Sequence, residues 1–292
     1  MTGSAPARLR ALLARPGLVV LPGASDALGA RLVQAAGFPA VYATGAGIAN
    51  TLLGLPDLGL ATMSEVLDQV RRMVDAVEIP LVADVDTGYG NPLNVRRTVR
   101  AFECAGVAGL QMEDQVSPKR CGHFSGKDVI PMDEMVLKLR AAVDARRDPA
   151  LLLIARTDAL AVQGIDEALR RARRYLEAGA DALFVEAPTS REEMARIARE
   201  VPALHLANMT EGGKTPILSA ADLEALGFKI ALYPNTLLRS ALRAGQAALK
   251  RLYDERSSLA FADDLLLPWH ERQRLVGLPE YEALEQRFVR GE

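Results

Sequence analysis

Cysteine is scarce in this sequence: Cys104 and Cys121 are the only two in 292 residues. Two thiols cannot build the cross-linked framework of a small secreted domain, so a fold resting on apolar burial in a reducing, cytoplasmic setting is expected. Long apolar runs are missing too. None approaches the ~18 residues that a membrane-spanning helix requires, and the first residues, MTGSAPARLRALLARPG, lack the apolar core of a secretory signal. That stretch is somewhat Arg-rich, which leaves a transit peptide open, but Leu9 to Leu13 reads more simply as a short helix. Neither sign of charge is in excess, with 35 Lys plus Arg against 37 Asp plus Glu and a formal net charge of -2. Nothing global therefore attracts a phosphate backbone or anionic lipid, and neither nucleic acid nor membrane is expected as a partner. No G-x-G-x-x-G follows the first apolar run, which removes the phosphate-binding turn of a dinucleotide fold.

What is present is an ordinary globular composition, 49% hydrophobic and 25% charged, enough to bury a large core and too apolar for a disordered chain. Eight short strand-like runs recur: LVVLP (18–22), AVYAT (40–44), PLVADV (80–85), GLQME (109–113), LLLIAR (151–156), ALFVE (182–186), LHLAN (204–208) and IALYP (230–234). Amphipathic stretches at 64–76, 93–105, 133–146, 166–178, 191–200 and 235–255 separate them and are long enough for right-handed crossovers. Gly37, Gly106, Gly179 and Gly227 stand where helix C-termini call for a left-handed residue. The length allows two domains, but eight β-then-α units match one α/β fold, a (β/α)8 TIM barrel, over residues 1–256. Such a barrel gathers its functional groups at the C-terminal ends of the strands.

Those ends carry the polarity: Asp26, Tyr42 with Thr44, Asp84 with Asp86, Glu113 with Asp114, Arg156 with Asp158, Glu186, Asn208 and Asn235. Five or more carboxylates around one mouth repel one another unless a cation or an arginine offsets them, which implies a divalent metal. In ADVDTGYG (83–90), Asp84 and Asp86 stand two apart and so face the same way, and hard oxygen donors of this kind suit Mg2+ or Mn2+ rather than zinc. A pair of loop or helix-capping aspartates fits the same spacing. Arg156 beside these groups suits bidentate carboxylate binding.

The connection EDQVSPKRCGHFSGKDVIP (113–131) is long for a compact barrel, as functional loops are. Lys119, Arg120 and His123 surround Cys121, and flanking cations favour a thiolate, making this thiol a candidate acid or base; a structural role fits a single loop cysteine equally well. One Cys and one His fall short of a zinc site. Cys104 lies in a helical stretch with apolar neighbours and is expected in the core rather than in a disulfide. His205 in an apolar strand, His270 in a polar helix and Lys214 in a glycine-rich loop have ordinary structural explanations. The run RRARR (170–174), alternating on its helix with Glu167 and Glu177, reads as a solvated face.

The set GLPDLG (54–59), ADVDTGYGN (83–91), EDQ (113–115), PKRCGH (118–123), ARTDA (155–159) and EA (186–187) resembles the isocitrate lyase and phosphoenolpyruvate mutase superfamily, in order over residues 18 to about 255. KRCGH marks the carbon–carbon lyase branch, where 2-methylisocitrate and 2,3-dimethylmalate lyases are most alike. The resemblance implies Mg2+-dependent retro-aldol cleavage of a 2-hydroxy di- or tricarboxylate to pyruvate or a related 2-oxo acid and a second carboxylate. It implies Cys121 as the acid, tuned by His123 and Lys119, Tyr42 near the substrate hydroxyl, and Arg156 on the 2-oxo acid. Thr44, Gly45 and Ala46 stand where relatives have Ser-Gly-Gly, so backbone contacts carry over better than the hydroxyl. Gly122, Glu186, Asn208 and Thr210 are implied as substrate-binding, with Pro234 beside them. Asp84 is implied as the most direct metal ligand, with Asp57, Asp86 and Glu113 neighbouring or water-mediated. FSGK (124–127) replaces the RPNK of 2-methylisocitrate lyases, favouring a smaller, less charged diacid. Similar sequences also bear the name carboxyvinyl-carboxyphosphonate phosphorylmutase, which keeps phosphonate chemistry open. Oxaloacetate decarboxylation or hydrolysis stays open as well, as does a barrel that binds its ligand without turnover.

A barrel of ~250 residues leaves roughly 40 over, and residues 257–292 carry the only Trp, Trp269, with Leu265, Leu266, Leu267, Leu275, Val276, Leu278, Tyr281, Leu284 and Phe288 in helical spacing. So much apolar surface must pack somewhere. The resemblance implies C-terminal helices exchanged between subunits of a homotetramer.

Overall fold

In a computed structural model describing residues 3–122 and 126–291, the chain divides into two compact units, Met1–Thr236 and Leu237–Glu292. In the first unit, eight parallel strands close on themselves in sequence order: β1 (Val19–Ala24), β2 (Val41–Ala43), β3 (Leu81–Asp84), β4 (Gly109–Glu113), β5 (Leu152–Thr157), β6 (Ala182–Val185), β7 (Leu204–Asn208) and β8 (Ile230–Tyr233). β8 returns to β1 through the register Val19↔Ile230 to Pro22↔Tyr233, so no strand edge is left unpaired in the closed sheet. Helices lie between the strands, and the fold is the (β/α)8 barrel that the eight-fold alternation calls for.

The sequence explains the punctuation. The helix Met63–Ala76 begins with a capping box, in which Thr62 and Glu65 each satisfy the other's backbone N–H. Asn91 caps the helix Pro92–Cys104 in the same reciprocal way with Asn94, and Pro92 takes the first turn, where its missing N–H costs nothing. Gly37, Gly106, Gly179 and Gly227 all take positive φ, 88°, 90°, 103° and 95°, at the ends of helices. The short helix expected at Leu9 to Leu13 extends over Ala5–Ala14. Its Leu9 and Leu13 are buried among Val19, Leu21, Leu152, Ala182 and Ile230, plugging the N-terminal end of the barrel. Each leucine contributes roughly 1.5–3 kcal/mol by burial.

The inner face follows strict alternation. Tyr42, Val82, Ile154, Phe184, Leu206 and Leu232 belong to the central apolar cluster, and two residues on, the same face presents Thr44, Asp84, Arg156, Glu186, Asn208 and Pro234. Core and rim are thus consecutive layers of one face.

Some local features differ from the expectations. Helices also form at Ala27–Ala35 and Ala220–Ala225, and Gly45–Ile48 runs into a π-helical turn, Ala49–Leu53. Cys104 is exposed, not in the core. The buried stripe of its helix runs through Val95, Thr98, Val99 and Phe102, and a residue two beyond Phe102 is turned some ~200° from it. Asp26 is a helix cap, accepting from the Gly29 N–H at 2.7 Å. RRARR is not wholly solvated either: Arg170, Arg173 and Arg174 pair with Glu167, Glu200 and Glu177 outside, whereas Arg171 is buried.

The second unit consists of the helices Thr236–Glu255, Ala262–Leu265, Trp269–Leu275 and Leu278–Arg290. Phe261 is its one large buried side chain among the described residues, with the Arg251 guanidinium 5.0 Å from its ring centroid. Leu249, Leu259, Trp269, Tyr281, Phe288 and Val289 are all exposed. No helix of the described residues is long and apolar enough to cross a membrane.

Candidate active site

The C-terminal mouth of the barrel holds a solvent-open pocket of about 460 Å³. Tyr42, Thr44 and Ala46 line it from β2 and the turn after it, Asp84 from β3, and Asp57, Lys119, Cys121 and Gly122 from two loops. Arg156, Phe184, Glu186, Asn208, Thr210, Leu232, Pro234 and Asn235 complete the wall. Twelve of the residues singled out from the sequence as catalytic, substrate-binding or metal-ligating therefore face one space. Asp86 and Glu113 are buried behind it, and Gly45 abuts both aspartates of the 84–86 pair. His123 and the FS of FSGK lie outside the described residues.

One side of the pocket is acidic. Lys119, buried, donates to Asp57 Oδ1 at 2.6 Å and lies 3.0 Å from Asp86 Oδ1. Burial alone would lower its pKa, but Asp86, Glu113, Asp57 and Asp84 outweigh that and hold it well above its ordinary value. Desolvation dominates at Asp86, whose pKa rises to about 6 despite Lys119, with Asp84 and Asp57 adding to the rise. Glu113 is likewise raised, by burial first. The ammonium is thus committed to carboxylates.

These oxygens fit a hard divalent cation. Glu113 Oε1 is buried without a hydrogen-bond partner, and Asp86 Oδ1 is buried against the Lys119 ammonium 3.0 Å away. A Cβ on Gly45 would come within 2.9 Å of Asp84 Oδ2 and 3.2 Å of Asp86 Oδ1, so only glycine leaves room beside both. Among the described residues no three His, Cys, Asp or Glu side chains are grouped closely enough to hold an ion by themselves. A set completed by water is what this arrangement accommodates.

Arg156, the register partner of Glu113, governs the adjoining side. Its Nε donates to Asp158 Oδ2 at 2.9 Å and its Nη2 to Asp158 Oδ1 at 3.2 Å, while Nη1 lies 3.2 Å from Glu113 Oε2 and Nη2 3.5 Å from Glu186 Oε2. The guanidinium also covers the Phe184 ring, 4.9 Å from its centroid. Desolvation works against the charge, but Asp158, Glu113 and Glu186 keep this pKa well above its ordinary value. The polar chain continues as Asn208 donates to Glu186 at 3.2 Å and Thr210 to Asn208 at 3.0 Å.

Several supporting residues escape a sequence reading. Gln111 accepts from the Tyr42 hydroxyl at 2.5 Å, and its place two before Glu113, on the inward face of β4, was a readable signal. Burial and the charge of Asp84 hold the Tyr42 phenol well above its ordinary pKa. Thr44 Oγ1 is occupied as a helix cap, accepting from the Gly47 N–H at 3.3 Å, which leaves backbone amides to face a ligand. The loop bearing Cys121 is pinned at both ends. Gln115 pairs antiparallel with Val129, and its amide clips the Arg120 peptide, donating to its O at 2.8 Å and accepting from its N–H at 2.9 Å. The Cys121 N–H donates to Asp57 O at 3.2 Å. Lys127 bonds both the Gly122 carbonyl and Asp158, 2.6 Å from each.

Comparison with known proteins shows the family and the fold. The family described as phosphoenolpyruvate phosphomutase matches residues 9–253. The 2,3-dimethylmalate lyase of Eubacterium barkeri is 45% identical, over 98% of this chain and 98% of its own, and the 2-methylisocitrate lyase of Aeropyrum pernix is 43% identical, over 97% and 90%. A crystal structure of 2,3-dimethylmalate lyase superposes with a TM-score of 0.92 at 36% identity, covering 98% of this chain and 96% of that one. Phosphonopyruvate hydrolase in complex with oxalate and Mg2+ superposes with a TM-score of 0.89 at 30% identity, over 98% of this chain and all of the other. The chain belongs to the phosphoenolpyruvate mutase and isocitrate lyase superfamily.

Proposed function

We propose that this member of the superfamily is a Mg2+-dependent carbon–carbon lyase that cleaves a 2-hydroxy di- or tricarboxylate of the 2,3-dimethylmalate or 2-methylisocitrate type. The observation that carries the proposal is the placement of Cys121 in the same pocket as Arg156 and Asp84. A retro-aldol cleavage needs these three functions together: an acid, a carboxylate clamp and a cation site. In the reaction the C2–C3 bond breaks, the C2 hydroxyl loses its proton and becomes the carbonyl of pyruvate or a related 2-oxo acid, and the electron pair passes to C3. Cys121 delivers a proton there, forming the second carboxylate.

Arg156, with the backbone amides at Gly45 and Ala46, holds the carboxylate of the 2-oxo acid half. Tyr42 stands at the substrate hydroxyl and handles its proton. Gly122, Glu186, Asn208 and Thr210 hold the departing half. Lys119 fixes Asp57 and Asp86 and, together with His123, tunes the thiol. Asp84, with Asp57, Asp86 and Glu113 around it, would hold Mg2+, Mn2+ being chemically acceptable at the same oxygens. When bound, the cation supplies positive charge that polarises the hydroxyl and carboxylate oxygens and offsets the surrounding carboxylates. Phe184 and Leu232 give the pocket an apolar wall suited to a methyl-bearing diacid rather than a third carboxylate.

The decisive assay is pyruvate release from 2,3-dimethylmalate and 2-methylisocitrate with Mg2+ and with chelator. Metal-dependent release from either supports the lyase; turnover of neither overturns it. We also infer a cytoplasmic enzyme in which residues 257–292 serve assembly, their exposed leucines and aromatics covered by exchange between subunits of a homotetramer. A monomer by light scattering at micromolar concentration overturns that assembly.

A further inference from the structure

We infer that Lys127 is a positioning residue, a latch coupling the backbone beside the proton donor to the arginine that grips the substrate. The inference rests on the lyase reading for its catalytic meaning, but not for its geometry. Lys127 Nζ is buried, with only 3% of its side chain exposed, and donates at 2.6 Å to two acceptors: the Gly122 carbonyl, next to Cys121, and Asp158 Oδ1. Asp158, fully buried, also receives Arg156 Nε and Nη2. One carboxylate therefore holds both the clamp on the substrate and the tether on the loop. Its pKa falls despite burial because Arg156 and Lys127 outweigh desolvation, consistent with a carboxylate bound by two cations.

Two further observations make the tether consequential. Gly122 is packed so closely that a Cβ there would stand 2.6 Å from Arg156 Nη2 and 2.8 Å from Glu186 Cδ, so the peptide after Cys121 rests directly on the clamp. Among the described residues, the tether complements the other attachments of this loop. The Gln115 amide secures Arg120 and Asp57 O secures the Cys121 N–H, both on the N-terminal side, whereas Lys127 holds the Gly122 carbonyl from the C-terminal side. Without Lys127, Asp158 keeps Arg156, the Asp114 bond to its backbone N–H remains and the barrel stays intact, while the Gly122 carbonyl loses its charged partner. A lysine rather than an apolar residue at this position sets how long Cys121 stays over the pocket.

The test uses the full-length protein and three forms, wild type, Lys127→Met and Lys127→Arg, with folding checked by circular dichroism. The rate of Cys121 alkylation by iodoacetamide is read by mass spectrometry, with exposed Cys104 as the internal reference. Loss of the charge-assisted hydrogen bond to the Gly122 carbonyl, with that to Asp158, should raise the Cys121 rate about 10-fold or more in Lys127→Met, and Lys127→Arg should restore most of the difference. With a turned-over 2-hydroxy diacid, kcat should fall by about the same factor and KM by less, since Arg156 remains paired. Equal alkylation of Cys121 in wild type and Lys127→Met overturns the latch. If neither 2,3-dimethylmalate nor 2-methylisocitrate is turned over by wild type, the lyase reading fails while the alkylation contrast still decides the latch.

Discussion

Asp114 offers the sharpest quantitative test of how the rim is supported. It is fully buried and accepts four hydrogen bonds: Thr157 Oγ1 at 2.7 Å, Tyr175 OH at 2.7 Å, the Asp158 N–H at 2.9 Å and Arg171 Nη1 at 3.0 Å. Arg171 is itself buried and also donates to the Ile130 carbonyl at 2.9 Å and to Glu167 at 2.9 Å. Asp114→Ala therefore removes the more deeply buried of the two carboxylates paired with a buried guanidinium, leaving Glu167, and strands several donors at once. Breaking such a pair from one side costs about 3–5 kcal/mol, and the stranded donors, at about 1–3 kcal/mol each, are partly included in that range. Stability measured by urea denaturation should thus fall by about 3–5 kcal/mol. The double variant Asp114→Ala/Arg171→Met should cost less than the sum of the single variants by more than about 1 kcal/mol, because the second change removes the guanidinium that the first leaves with Glu167 alone. A loss below about 1 kcal/mol for Asp114→Ala, or strict additivity of the pair, refutes the reasoning.

Two further outcomes follow from buried charge elsewhere. His205 Nε2 lies 2.6 Å from the Val201 carbonyl, and burial lowers the histidine's pKa below 6.5, so between those two pKa values the unfolded chain binds a proton that the folded one does not. Its stability contribution is complete above pH 6.5 and shrinks as pH falls below it, by at most about 1.4 kcal/mol per pH unit; denaturation midpoints of wild type and His205→Phe should diverge accordingly, and parallel pH profiles would count against this. At the acidic rim, millimolar Mg2+ should raise the melting temperature of the ligand-free protein by several degrees, since occupancy at ~100 times Kd adds about 2.7 kcal/mol. Asp84→Asn should lose most of that shift, and an unchanged melting temperature in wild type would remove the proposed cation site.

The barrel was legible because its signal is periodic and repeated. Eight apolar runs, each followed by a helical stretch, leave few alternatives, and the observed strands match those runs within a few residues. The rim was legible for the same reason: Asp84, Arg156, Glu186 and Asn208 each stand two residues beyond an inward apolar residue, so alternation alone orients them. What lacked a local signal was set by contacts distant in sequence. Lys127 meets Asp158 31 residues away, Lys119 meets Asp57 62 away, and Arg171 meets Asp114 57 away. Arg171 is the instructive failure. It sits amid arginines that do face solvent, and the helix turns it inward by one residue's rotation, toward a carboxylate that no nearby sequence announces. Cys104 fails the other way, because apolar neighbours in sequence are not neighbours on a helix face.

The alternation that makes the rim readable also explains its electrostatic character. Each strand can place only its last inward residue at the mouth without charging the core, so functional groups are compressed into one layer resting on Phe184, Leu206 and Leu232. In that layer and the loops touching it, Asp57, Asp86, Glu113, Asp158 and Glu186 meet Lys119, Lys127 and Arg156, and Asp84 stands in the same pocket, so cations are fewer than carboxylates. Desolvation in such a layer raises Asp86 and Glu113, whereas Asp158, which holds two cations at hydrogen-bond distance, is lowered. The imbalance is therefore not uniform: it is smaller at Arg156 and Lys127, two cations among three carboxylates, than at Asp57, Asp84 and Asp86, which share Lys119. A barrel that settled every charge internally would be more stable and would have no remaining attraction for a cation. Concentrating the surplus near Asp84 leaves Arg156, Asp158 and Lys127 bonded to one another, the kind of mutual support that a clamp for a carboxylate and a seat for the thiol require.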